Sequence, residues 1–289
     1  MKNKILFISI LLLALLVILL VIFSFSNLMR KDEVVYPIYD KVDEAIKEQN
    51  EVKEAKIEIK DIKYAVPIYM YHWVQDDTGD YPYIENMVRP DSLKQQVEYI
   101  ANNGFESIFS SELSSLAKYS KPVMLTFDDG FASVYLYAYP ILKEFNVKGT
   151  MFIISDYVDT PGYCTKEQLR EMKESGLVEL QCHTKTHPHL AEISREQMKE
   201  EMTVCNEYLK NEFNIVSDVI CYPYGSRNNT TIEVAKECGF KYGLDMDGGI
   251  YYSGRDTDYT ISRIYATRSM TLDEFIYYLN KSYVNVNLE

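Results

Sequence analysis

The sequence predicts an α/β fold, a distorted TIM-like (β/α) barrel, and three observations carry that expectation. From Ala65 onward short apolar runs alternate with amphipathic stretches, strand then helix, about seven times over, which is the rhythm of a parallel sheet covered by helices. Two adjacent acids, Asp128 and Asp129, stand where the buried run Pro122–Phe127 ends, and α/β folds place their chemistry at such strand ends. Residues 65–289 show no internal repeat or low-complexity segment, so one domain of barrel size accounts for them.

Strands are expected at Val66–Tyr71, Phe105–Phe109, Pro122–Phe127, Lys148–Ile154, Val178–Cys182, Val216–Cys221, Lys241–Leu244 and Thr260–Ile264, apolar runs too short to be helices. Helices fall between them. Asp91–Asn103 has Asp91 or Ser92 as its N-cap and Gly104 as a stop, and Ser133–Phe145 follows the acidic turn. Thr165–Ser175 stops at Gly176, Ser194–Phe213 opens with the capping box Ser194-x-x-Gln197, Asn229–Cys238 stops at Gly239, and Thr271–Asn280 closes the domain.

Ahead of the domain, Lys2 and Lys4 precede an apolar run from Ile5 to Phe25, about 30 Å as a helix and enough for a bilayer core. Ser24-Phe25-Ser26-Asn27 offers no small-residue cleavage site, so residues 1–29 are read as an uncleaved transmembrane signal anchor. Arg30 and Lys31 dilute the positive-inside asymmetry, yet the expected placement is a single-pass protein of the cell membrane with its body outside the cytoplasm. Residues 30–64 are charged and nearly free of Gly and Pro, a solvated helical stalk or linker. The formal charge of the whole chain is −13, and the balance beyond the stalk is equally acidic, which excludes nucleic acid as a partner and suits a neutral or cationic ligand. Five cysteines, an odd number without a C-x-x-C pair, are expected as buried free thiols.

The acidic turn Thr126-Phe127-Asp128-Asp129-Gly130 reads equally well, by itself, as a helix cap or as a site. The histidines decide between them. Of His72, His183, His187 and His189, three cluster in Cys182-His183-Thr184-Lys185-Thr186-His187-Pro188-His189-Leu190, just after a predicted strand. Pro188 disfavours a helix at His187, so a looped turn brings His183 and His187 within reach of one metal. One carboxylate with two histidines is a three-ligand set for a catalytic divalent metal, with the second carboxylate free to accept a proton from water.

The T-F-D-D-G turn, the H-T-x-x-H-P-x-L loop and Cys221-Tyr222-Pro223-Tyr224-Gly225 resemble, in order and spacing, the first three motifs of the polysaccharide deacetylases, carbohydrate esterase family 4 with its NodB-homology domain. The segment Met70-Tyr71-His72 with Y-P-Y-G is similar to the branch that contains poly-N-acetylglucosamine deacetylases. The resemblance implies metal-dependent removal of acetyl groups from an acetylated amino-sugar polysaccharide such as peptidoglycan or poly-N-acetylglucosamine. Asp128 would be the base, and Asp129, His183 and His187 the ligands of a metal, zinc first, with cobalt, nickel and manganese also suited to that donor set. The Tyr224 main-chain N–H would help hold the oxyanion, and Tyr222, Pro223 and Tyr224 would offer surface to the sugar, although Tyr222 and Tyr224 read equally well as aromatic core.

Three departures from the family pattern matter. The motif-three Arg that pairs with the catalytic Asp is Cys221; the fourth motif has at best Asp245, since the one Trp is Trp73; and no His follows His189 to act as general acid. His72, at the end of the first barrel strand, is the expected replacement acid, and Arg263 the expected replacement for the missing charge. His189 is left without a role. An O-acetyl esterase on the same scaffold and a sugar-binding wall protein that has lost catalysis are the alternatives.

Overall fold

Apolar runs with few polar interruptions need cover on both faces, and the chain supplies it by curling a parallel sheet inside a ring of helices. The computed structural model describes residues 64–76 and 83–284. The strands are β1 Ala65–Val66, β2 Ile68–Tyr71, β3 Trp73–Val74, β4 Met87–Val88, β5 Glu106–Ser107, β6 Pro122–Phe127, β7 Gly149–Ile153, β8 Val178–Cys182, β9 Val219–Cys221, β10 Tyr242–Leu244, β11 Tyr251–Tyr252 and β12 Ile264–Tyr265. The main sheet runs β10-β9-β8-β7-β6-β2-β12, parallel throughout, with β5 also paired to β6. Its two edges are joined by the segment that leads into β12: Ile261 bridges Leu244 of β10, and three residues later Ile264 pairs Tyr69 of β2.

The helices are α1 Pro90–Asn102, α2 Tyr139–Phe145, α3 Lys166–Glu174, α4 Arg195–Phe213, α5 Asn229–Glu237 and α6 Leu272–Val284. Period-two alternation sorts each strand. Tyr69, Leu125, Phe127, Met151, Ile153 and Leu180 pack outward under helix residues such as Leu93, Val97 and Met202. Ile68, Met124, Phe152, Val219, Cys221, Leu244 and Ile261 fill the inside of the curl. Thr126 and Asp128 continue the inward row begun by Met124, so the first acid of the pair already points into the barrel.

Several expected boundaries shift for local reasons. Neither Asp91 nor Ser92 caps α1: Pro90 occupies the first turn, Arg89 stands at the cap position, and no side chain caps it. The strand expected over residues 105–109 stops at Ser107, because the Phe109 N–H is taken by the Glu112 carboxylate and a 3₁₀ helix runs from Ser110 to Lys118. Val216 is exposed and Ser217 spends its hydroxyl on Gln181 and the Val219 carbonyl, so β9 begins only at Val219. The last strand is two residues, Ile264–Tyr265, rather than 260–264. The short pairs β1–β11 and β3–β4 have no periodicity to announce them.

Among the described residues no helix is long and apolar enough to cross a membrane. The anchor expected at 1–29 and the stalk expected up to residue 63 lie outside those residues. The five cysteines are all free thiols, four of them buried.

Candidate active site

The two acids separate because the backbone turns between them. The Asp128 N–H still donates to the Tyr71 carbonyl, 2.8 Å away, as a continuation of the β2–β6 ladder. Asp129 then adopts φ 73° and Gly130 φ 84°, which swings the second carboxylate from the outward face to the rim. Thr184, His187 and Tyr224 also have positive φ, at 68°, 64° and 58°. Left-handed backbone at residues other than glycine costs energy, and here four such residues gather at the strand ends of β6, β8 and β9.

Asp129, His183 and His187 converge. Asp129 Oδ1 lies 3.2 Å from His183 Nε2 and 3.3 Å from His187 Nε2, and the two imidazole nitrogens are 3.2 Å apart. Yet the buried Asp129 Oδ1 makes no hydrogen bond of acceptable geometry. Donors about 2.0–2.2 Å from one tetrahedral cation stand roughly 3.4 Å apart, so this spacing and this orphaned oxygen fit a metal site. His183 Nδ1 bonds the Cys221 carbonyl at 2.8 Å, which leaves Nε2 facing the cluster and fixes the ring plane.

Charge in the cluster follows from burial and neighbours. Burial would raise the Asp129 carboxyl, but the approach of His183 outweighs it and keeps the group ionised. Burial, then the charge of His183, pushes His187 down to about 4, so its ring is neutral at pH 7. His183 goes the other way: burial opposes a charge, but Cys221, Asp129 and Asp128 raise it well above its usual value. Cys221 is itself driven up by burial, away from the thiolate form.

Asp128 is clamped from the opposite side of the barrel. Arg263 Nη1 donates to Asp128 Oδ1 at 2.7 Å and Nη2 to Oδ2 at 2.8 Å. The same guanidinium reaches Thr126 Oγ1 at 3.1 Å, the Asp245 carbonyl at 3.0 Å through Nε, and Cys221 Sγ at 3.0 Å. All five N–H donors of Arg263 thus have acceptors, and neither partner of the pair is exposed. Burial would raise Asp128, but the charge and hydrogen bonds of Arg263 outweigh it and hold the carboxyl well below the usual carboxylate range. The guanidinium lies against Cys221 Sγ, so a long side chain at 221 would contest its space. The small residue at 221 and the arginine at 263 belong together.

His72 is half-buried at the end of β2, beside Asp128 on the same rim. Among the described residues it has no hydrogen-bond partner. Tyr224 is 55 % exposed; its ring stacks on His189 at 4.0 Å and meets His187 edge-on at 4.5 Å. Tyr222 and Pro223 do not line an open surface, contrary to expectation. Tyr222 is wholly buried, its hydroxyl so close to Gly243 that a Cβ there would collide with it, and Pro223 is buried in the turn. Residue 222 follows the inward-pointing Cys221, so its ring goes outward into the core.

Asp245 touches the machinery through its backbone carbonyl, while its carboxylate faces Arg227 at 2.9 Å. Burial pushes that carboxyl up to about 6, with Arg227 and the Asp247 N–H pulling it down. A folded pKa above the unfolded value of about 3.9 means that the native state holds the proton more tightly. The resulting stabilisation is complete below about pH 4 and is lost as the pH rises through about 6. Thermal unfolding of the Asp245→Asn variant beside the parent should therefore show the parent gaining on the variant between pH 7.5 and 5. A constant difference would place the titration elsewhere.

Sequence reasoning left His189 without a role, and its contact with Tyr224, 35 residues away in the chain, has no local signal. The same holds for an aromatic row on the other side of the acidic turn. Trp73 stacks on Phe131 at 4.0 Å, Phe131 on Tyr163 at 5.0 Å, and Tyr163 meets Tyr157 at 4.9 Å.

With the site described, comparison with known proteins is decisive. The family model for polysaccharide deacetylases matches residues 116–243, which hold the acidic turn, the histidine loop and Tyr224. Over that stretch the chain is similar to the polysaccharide deacetylases. A putative polysaccharide deacetylase of Bacillus subtilis, YxkH, is 28 % identical over 242 residues, 81 % of this chain and 84 % of that protein. A poly-beta-1,6-N-acetyl-D-glucosamine N-deacetylase of Staphylococcus aureus is 27 % identical over 194 residues, 61 % of this chain and 67 % of its own length. The fold of the Streptococcus pyogenes deacetylase PplD, solved in complex with acetate, superposes with a TM-score of 0.70 at 28 % identity, over 74 % of this chain and 98 % of that one. His72 lies outside the stretch that the family model matches, as does Arg263, so neither could have been found from that match.

Proposed function

We propose that this polysaccharide deacetylase removes N-acetyl groups from an amino-sugar polymer, peptidoglycan or poly-N-acetylglucosamine, outside the cell and tethered by its N-terminal segment. The observation that carries the reading is a buried carboxylate, Asp128, paired at both oxygens with Arg263 and set beside a donor triad of one carboxylate and two imidazoles. Hydrolysis of an unactivated amide needs both: a group to accept the proton of water and a centre to make that water acidic. Asp128 is too weak a base to deprotonate ordinary water, and a divalent metal held by Asp129, His183 and His187 supplies the lowered water pKa and the polarised carbonyl.

The chain's own residues do the rest. Arg263 fixes both oxygens of Asp128, so the incoming proton meets a carboxylate of one orientation. The left-handed turn at Tyr224 presents its main-chain N–H toward the developing oxyanion. His72 gives a proton to the departing amine. The part-exposed rings of Trp73, Tyr163 and Tyr157, joined through the buried Phe131, and the Tyr224 ring flank the acidic turn with apolar faces on which sugar rings pack. The acidic balance of the domain accommodates a product that gains positive charge with each acetyl removed.

Acetate release from poly-N-acetylglucosamine oligomers, peptidoglycan fragments and acetylated xylan, with and without chelator, tests this. Release from an amino-sugar substrate, abolished by chelation and restored by zinc or cobalt, is expected. Release from the xylan alone would make the protein an O-acetyl esterase, and no release from any substrate would leave a sugar-binding protein.

A further inference from the structure

Among the residues around the site, one aromatic contact has no part in metal binding or proton transfer. Tyr224 is a bulky residue in left-handed backbone, φ 58° and ψ 13°, within the turn Pro223–Gly225, a conformation that L residues avoid unless their surroundings impose it. Its ring is more than half exposed, so packing in a core cannot be what imposes it. Two rings of the His187-Pro188-His189 segment touch it. His187 meets it at 60° between planes, and His189 lies almost parallel to it, 14° between planes with centroids 4.0 Å apart.

The loops that carry these rings are stitched together. The Ala191 N–H donates to Ser226 Oγ at 3.1 Å, and Asn228 Nδ2 donates to the Ala191 carbonyl at 3.4 Å. Among the described residues the His189 imidazole makes no hydrogen bond; only its carbonyl is engaged, by the Glu192 N–H at 3.0 Å. What the His189 side chain does in this fold is lie against Tyr224.

We propose that His189 is a positioning residue, whose ring holds Tyr224 in its left-handed turn and so keeps the Tyr224 main-chain N–H aimed at the reacting carbonyl. The assignment rests on the deacetylase reading above. His189 acts through a π-face, so its nitrogens are dispensable and any flat aromatic ring serves. It acts on the transition state through Tyr224, so its loss shows in kcat rather than in KM or in metal affinity.

Three measurements on His189→Ala and His189→Phe, each beside the parent, test this. Hydrogen–deuterium exchange of the peptide spanning Tyr222–Ser226 should quicken in His189→Ala and stay at the parent's rate in His189→Phe. For acetate release, kcat should fall about 10-fold in His189→Ala, the upper range for losing one aromatic pair, and stay within about threefold in His189→Phe. Zinc titration and KM should remain within about twofold in both. Unchanged exchange and kcat in His189→Ala overturn the proposal. A His189→Phe protein as impaired as His189→Ala overturns it too, because the imidazole itself would then be needed. If exchange behaves as expected while the parent releases no acetate, the positioning role stands and the deacetylase reading falls.

Discussion

Replacement of Arg263 by methionine should abolish acetate release and destabilise the fold by about 3–5 kcal/mol, the cost of leaving one member of a buried ion pair unpaired. The two losses share one cause. Asp128 stays ionised chiefly because the charge and hydrogen bonds of the guanidinium outweigh its burial. Without Arg263 its charge and two hydrogen bonds no longer oppose burial, the carboxyl rises, and a protonated Asp128 cannot accept another proton from water. A fall of at least about 10²-fold in kcat/KM is expected from the lost base. Lysine should not rescue, because a point charge cannot serve five acceptors arranged around a planar fork.

The double variant Asp128→Asn/Arg263→Met separates the two losses. Removing both charges lifts the desolvation penalty, so urea unfolding should return to within about 1–2 kcal/mol of the parent, while acetate release stays absent. A single Arg263→Met protein that keeps parental turnover would show that Asp128 needs no counter-charge.

His72→Ala should cost about 10²–10⁴-fold in turnover of the amide substrate, the usual contribution of a positioned acid. The control lies in the leaving group. An amine departs only once protonated, whereas a nitrophenolate leaves unaided. Hydrolysis of nitrophenyl acetate by His72→Ala should therefore stay within a few-fold of the parent. Equal losses on both substrates would mean that His72 shapes the rim or the metal site instead of supplying a proton.

Which parts of this were legible beforehand depends on how local their causes are. The acidic turn and the histidine loop could be placed at strand ends from the runs Pro122–Phe127 and Val178–Cys182, since period-two burial and a following Gly or Pro are properties of neighbouring residues. The curled parallel sheet follows from the same runs. Two-residue strands such as Tyr251–Tyr252 carry no periodicity, and Arg89 stands at a helix cap only because Pro90 follows it. For Tyr222 the motif leaves sugar surface and aromatic core both open, and strand alternation from the inward Cys221 sends it into the core. Arg263 could be named only by asking what replaces the absent motif arginine; its five acceptors come from Thr126, Asp128, Cys221 and Asp245, which no window of sequence contains. His189 and the Trp73–Phe131–Tyr163 row are contacts between separate loops, and nothing in either loop announces them.

The joint of the sheet has a consequence for how activity arises. The stretch from Ile261 to Tyr265 spans the gap between β10 and β2 by one bridge on one side and a two-residue pairing on the other, and Arg263 sits in its middle. Docking of this last strand and neutralisation of Asp128 are therefore a single event. With this stretch undocked, Asp128 has no guanidinium beside it. If this joint opens first on heating, acetate release should be lost at a lower temperature than the far-ultraviolet circular dichroism of the helices, and coincident losses would show that it opens with the rest of the fold.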